Sequence, residues 1–164
     1  MKLLVFFLMF NSLQASVLDN VRNQFPRINS LEEAEFHMKL LEKEKGTESK
    51  AYYAAMLFMK SKYVKFPLTK YNYFKKGKAA LDQLIQENKS NVEMRYLRFA
   101  FQNELPAFLN YNSNIQEDFL VITKGIEKSD LNTQFKHKML KNMLLVKNIT
   151  KDQTTQIKLL LNRI

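Results

Sequence analysis

The chain has 164 residues, enough for one domain with a real core and too few for two comfortable ones. It contains no cysteine, which excludes disulfides and a lipid-modified cysteine anchor, so stability must come from the core. A formal net charge of +10 gives a field that attracts anions such as nucleic acid, anionic lipid or acidic polysaccharide.

The first fifteen residues, MKLLVFFLMFNSLQA, stand apart. Lys2 precedes an apolar run from Leu3 to Phe10, then a short polar segment ends at Ala15. This is the pattern of a secretory signal peptide, although Leu13 sits where a small residue is preferred. A permanent membrane span takes about 20 residues, more than this run supplies. We therefore expect export, to the periplasm or beyond the cell. The expected mature part is a single soluble domain, residues 16–164, whose charge falls only to +9 with the loss of Lys2.

Beyond that segment, apolar residues recur at three- and four-residue spacing. Glycine and proline, three of each, fall mostly at the breaks this periodicity requires. The expected fold class is all-α, with seven or eight helices in antiparallel pairs and no strands. The first helix spans Val17–Phe25 and closes before Pro26. Ser30 caps the second with Glu33 as its capping-box partner, Leu31, Ala34, Met38 and Leu41 face inward, and Gly46 ends it. The third runs from Thr47 to Tyr63, where Ala51, Ala54 and Ala55 allow a neighbouring helix to approach. Pro67 opens the fourth, which continues to Asn88 with Phe74, Leu81, Leu84 and Ile85 inside. Gly77 shares that stripe, and close packing is the expected compensation for its cost of about 1 kcal/mol in a helix interior.

The fifth helix, Val92 to Leu105, carries Met94, Leu97, Phe101 and Leu105 as its buried stripe and stops at Pro106. A sixth begins near Ile115 with Phe119, Ile122 and Ile126. A seventh begins near Asp130 with Leu131, Phe135, Met139 and Met143. The last follows Thr150, whose capping-box partner is Gln153, and turns Ile157, Leu160, Leu161 and Ile164 inward.

Two groups of residues could carry function. Arg98 lies at the edge of the fifth helix's apolar stripe, with Arg95 and Gln102 farther out on the same side. Glu117 and Asp118, at the start of the next helix, are placed to answer them, and carboxylates suit a helix N-terminus. The main reading is an Arg–carboxylate network that pins two helices, with Phe108 and Tyr111 plugging the corner. The alternatives are an anion pocket built on Arg95 and Arg98, or a catalytic site. The second group lies in YVKFPLTKYNYFKKGK. From Ser49 to Leu81 there are eight lysines, no acid and eight tyrosines and phenylalanines. Lys62, Lys65, Lys70, Tyr71, Tyr73, Lys75, Lys76 and Lys78 form a candidate basic aromatic surface for charge and stacking contacts. The alternative has aromatics facing the core and lysines facing water. A smaller basic stretch, Lys136–Lys151, reads as a solvated face.

No Gly-rich phosphate loop, nucleophile elbow or metal-ligand spacing accompanies His37 or His137, so no cofactor or metal is expected. An exported address also argues against nucleic acid.

Two resemblances add to this. GKAALDQLIQENKSNVEMRY resembles one tetratricopeptide repeat's second helix running into the next repeat's first, without a clean 34-residue period. EMRYLRFAFQNELPAFLNYNSNIQEDFLVI resembles a motif of small exported helical proteins of flavobacteria and their relatives. That motif is a Glu-x-Arg-x-x-Arg-x-x-x-Gln helix, a Pro-x-Phe-Leu-x-Tyr turn and an Ile-x-Glu-Asp helix start. The likeness, spanning about Ala51 to Ile122, implies export and a helical fold and supplies no catalytic residues. The leading functional expectation is a non-enzymatic binding or scaffold protein of the bacterial envelope that recognises a protein segment, an anionic polymer or a lipid headgroup. The alternative is a small-ligand or lipid carrier with an apolar cavity lined by Phe and Met.

Overall fold

A computed structural model describes residues 16–164; the signal-peptide expectation lies outside the described residues. Eight α-helices follow one another: α1 (Val17–Gln24), α2 (Leu31–Leu41), α3 (Thr47–Tyr63), α4 (Pro67–Glu87), α5 (Val92–Glu104), α6 (Ile115–Gly125), α7 (Thr133–Met143) and α8 (Lys151–Leu161). A 3-10 turn, Ala107–Leu109, joins α5 to α6, and there is no strand among the described residues.

Helix starts follow local chemistry. Ser16, Ser30, Asn91, Asn132 and Thr150 each accept a hydrogen bond from a backbone N–H in the first turn they precede. Thr150 and Gln153 form the expected reciprocal capping box. Three boundaries differ from expectation. Glu33 does not return to Ser30; its carboxylate accepts from the Asn29 N–H at 2.8 Å, one residue farther back. Gly46 does not end α2. The chain leaves the helix after Leu41 through turns at Lys43 and Glu44, and Gly46 precedes the first turn of α3 instead. The seventh helix starts at Thr133 rather than near Asp130, because the Asn132 side chain takes the Phe135 N–H at 2.8 Å and leaves Leu131 outside. Asn110, just past the 3-10 turn, adopts a left-handed conformation with φ of 50°, which asparagine tolerates better than most residues.

The principal helix packings join elements one or two apart in the chain, giving a stacked arrangement of antiparallel helix pairs. α3 packs on α1, α2, α4 and α5, and α5 packs on α3, α4, α6 and α7. These two helices therefore form the centre. Eleven of the thirteen α5 residues are buried, polar ones included. Phe25 meets Tyr52, Tyr96 and Phe101 edge-on, and Phe58 stacks on Phe101 with ring centres 4.3 Å apart.

Close approach explains Gly77. A Cβ there would sit 3.1 Å from the Ala54 carbonyl oxygen and 3.1 Å from the Phe58 ring. The oxygen belongs to the helix backbone and cannot yield cheaply. Overpacking of about 1–3 kcal/mol should outweigh the roughly 1 kcal/mol that alanine gains in helix propensity. Gly77→Ala is thus expected to lower the urea midpoint, and a higher midpoint would show that α3 and α4 can separate freely.

α1 and α2 meet at a buried histidine. His37 Nε2 lies 2.6 Å from Gln24 Oε1, an acceptor, so Nε2 carries the proton. Nδ1 is buried without a hydrogen-bond partner among the described residues. Protonation would put an unpaired N–H there. Burial accordingly lowers the imidazole pKa, against the opposing charge of Glu33. The unfolded chain then binds the proton more readily. Stability from this group is complete above the ordinary value of about 6.5 and declines as pH falls through it, by at most about 1.4 kcal/mol per pH unit. Urea melts across this range should show the decline, and His37→Gln should flatten it.

Candidate functional site

The arginines of α5 meet the carboxylates expected to answer them. Asp118, fully buried, accepts from Arg98 Nε at 2.7 Å, Arg98 Nη2 at 2.8 Å and Arg95 Nη1 at 2.8 Å. Arg95 also donates to Glu117 at 2.6 Å and to the Lys89 carbonyl at 2.9 Å. At the other end of the α5–α6 packing, Gly125 lies close against α5; a Cβ there would lie 2.8 Å from the Val92 side chain. A third carboxylate, Asp82 of α4, joins the cluster. It accepts from Arg98 Nη1 at 3.2 Å and from the Tyr111 hydroxyl at 2.8 Å, and pairs with Lys78 at 2.9 Å.

The electrostatics follow from this geometry. Burial alone would lower the Arg98 pKa, but the hydrogen bonds and charge of Asp118 outweigh it and raise the value. Burial raises the Tyr111 phenol, and the Asp82 charge adds to the rise. Both arginines have their charge answered; Arg98 directs Nε, Nη1 and Nη2 at protein oxygens and Arg95 directs Nε and Nη1, which is the geometry of a helix clamp. Gln102 does not join it: the side chain is buried, and neither amide atom has a hydrogen-bond partner among the described residues. Tyr111 plugs the corner as expected, whereas Phe108 is 84% exposed. The turn between α5 and α6 holds Tyr111 inward through Asp82 and leaves Phe108 on its outer side.

A second ionic contact had no sequence signal. Arg22 of α1 makes a paired interaction with Glu93 of α5, Nε to Oε1 at 2.7 Å and Nη2 to Oε2 at 2.6 Å, and its guanidinium lies 5.2 Å from the centre of the Phe135 ring. Burial opposes the Arg22 charge, and Glu93 more than restores it. Glu93 is itself buried beside Tyr52, whose phenol is pushed well above its ordinary value by burial and then by the Glu93 charge. A separation of 71 positions in the chain hid the pair from any reading of local spacing.

The lysine–aromatic stretch divides among faces, because α4 is a helix. Lys62, Lys70 and Tyr71 border an apolar groove. Tyr73 and Lys76 lie on another side, beside Lys60, which pairs with Glu35. Lys78 is engaged by Asp82 and lies over the Tyr111 ring. Lys65 and Lys75 are exposed. In the later basic stretch, Lys136 is buried and donates to the Glu127 carbonyl.

The groove has a volume of about 700 Å³. Phe25, Phe58, Met59, Phe74 and Phe101 make its apolar wall, with Ala100 contributing to the lining from α5. Its polar spots include Asn142, which donates to the Tyr96 hydroxyl at 2.8 Å, and Ser61, which donates to the Phe58 carbonyl. At the edge, Lys147 pairs with Glu104, while Lys62 and Lys70 have no acidic partner among the described residues. Among the described residues, no three His, Asp or Glu side chains come together to hold a metal ion. No helix among them is long and apolar enough to cross a membrane.

Comparison with protein-family models, curated proteins and solved structures finds no match to this chain.

Proposed function

We propose that this chain is a non-enzymatic carrier for a small amphiphile. The ligand places an unbranched apolar body in the groove and an anionic head at Lys62 and Lys70. One observation carries the reading: a mostly apolar recess of about 700 Å³ edged by two lysines without acidic partners among the described residues. Such a volume lies in the range of small-molecule sites, about 300–1,000 Å³. The Phe and Met wall supplies the apolar lining that a carrier needs, here as an open groove between helices rather than an enclosed cavity. A polyanion would instead need a continuous basic face, and the lysines of α4 are spread around the helix. The arginine clamp supports the same division of labour, since its charges are already engaged by Asp118, Glu117 and Asp82. The N-terminal sequence pattern supports an exported, envelope address.

The test is titration of the purified chain with single-chain fatty acids of increasing length, followed by calorimetry and native mass spectrometry. We expect one ligand per chain and affinity that rises with chain length. Ala100→Phe should fill the groove and reduce affinity at least tenfold. Lys62→Gln with Lys70→Gln should weaken binding by roughly tenfold, about 1.4 kcal/mol. Absence of binding, or binding indifferent to Ala100→Phe, would overturn the carrier reading.

A further inference from the structure

The groove mouth differs from the rest of the described surface. Of the large apolar side chains exposed there, Tyr71, Phe108 and Leu145 line the groove itself. Phe66 and Leu68 flank Pro67, another lining residue, and are 77% and 73% exposed. Lysines are interleaved with them. Lys62 and Lys70 line the mouth, Lys65 adjoins Phe66, and none of the three has an acidic partner among the described residues.

We infer that this mouth docks on an anionic bilayer surface. Aromatic side chains at an interface bury their apolar bodies at headgroup depth, and lysines beside them meet anionic headgroups. A buried protein partner of matching area would be served by the apolar residues alone. The unpaired lysines add the complement of a negatively charged plane, which is why the bilayer is the occupant chosen here. The geometry has a consequence. A chain docked through Phe66 and Phe108 holds the open side of the groove against the membrane, where an amphiphile can pass from lipid to groove without crossing water. The docking surface stands independently of the carrier reading, since it rests on the rim and not on what the recess contains.

Vesicle flotation tests it, with phosphatidylcholine vesicles containing or lacking phosphatidylglycerol. The Leu3–Phe10 segment is common to parent and variants, so the comparison between chains isolates the rim. The parent should partition more strongly when phosphatidylglycerol is present, and added salt should remove that increment. Lys62→Gln with Lys65→Gln should reduce the increment more than tenfold. Phe66→Ser with Phe108→Ser should lower partitioning into both vesicle types by at least tenfold. Both phenylalanines are largely exposed, so the folded state is retained and circular dichroism checks it. No phosphatidylglycerol increment, or variants that float like the parent, would overturn the proposal. So would a concentration-dependent dimer that the phenylalanine pair abolishes without any loss of flotation, which would assign the rim to a second copy of this chain. Flotation without fatty-acid binding would sink the carrier reading alone, and fatty-acid binding without rim-dependent flotation would sink the docking surface alone.

Discussion

Asp118→Ala is expected to destabilise the fold by about 3–5 kcal/mol, because it leaves two buried guanidinium groups without their shared counter-charge. Asp118 is fully buried and takes three N–H groups from Arg95 and Arg98. Its neighbour provides the internal control. Glu117 also bonds Arg95, at 2.6 Å, yet its side chain is 55% exposed. Water screens that pair, so Glu117→Ala should cost about 0–1 kcal/mol. Adjacent carboxylates on the same arginine thus differ severalfold in effect, and burial is the cause. Arg98→Ala should also cost a few kcal/mol, since Asp118 then loses two of its three donors. Urea unfolding followed by circular dichroism measures all three. For a domain whose total stability is typically 5–15 kcal/mol, the Asp118 loss is a large fraction. An unchanged melting temperature for Arg98→Ala would sink the clamp and return both arginines to the list of anion-binding groups.

The second large effect concerns Arg22. Its removal strands Glu93, which is 3% exposed and held by two charge-assisted hydrogen bonds. Arg22→Ala should therefore cost about 3–5 kcal/mol and detach α1 from α5. The informative experiment adds the second change. Replacing both partners by apolar residues of similar volume, Arg22→Met with Glu93→Leu, removes the unpaired charge along with the pair. The double variant should be more stable than Arg22→Ala, because desolvation of two ions is no longer required. A double variant as unstable as the single would mean that the stacking of Arg22 over Phe135 is the main contribution. Hydrogen exchange at α1 would show the detachment directly, as faster exchange from Val17 to Gln24 than in the parent.

These two contacts show where local reading works and where it stops. Helix existence and type were legible because each cue is short-range. A Ser or Thr before a periodic apolar run has its partner within three residues, as Ser30 and Thr150 do. The α5–α6 clamp was legible for a related reason. Pro106 forces a turn, and the turn returns Glu117 and Asp118 to the helix that carries Arg95 and Arg98. Gln102 shows the limit even there. A helical wheel puts it on the correct side and says nothing about whether an acceptor waits for its amide. Phe108 shows it again, since the same turn that buries Tyr111 turns its neighbour three residues earlier toward water.

What the sequence by itself determined is the all-helical class, the antiparallel pairing that short connections impose, the need for close approach at Gly77 and the placing of Glu117 and Asp118 opposite Arg95 and Arg98. Each rests on partners close in the chain or on a backbone restriction that a single residue carries. Only the tertiary structure decided that α5 is buried on nearly every side, because one amphipathic stripe does not reveal how many neighbours will wrap a helix. It alone brought Arg22 to Glu93 and Asp82 to Arg98. It alone gathered Phe25, Phe58, Phe74 and Phe101 from four helices and connections into one groove, and set two lysines from the basic stretch at its edge while sending the others elsewhere. Those juxtapositions depend on where helices cross, and crossing is set by the packing of whole faces rather than by any local spacing.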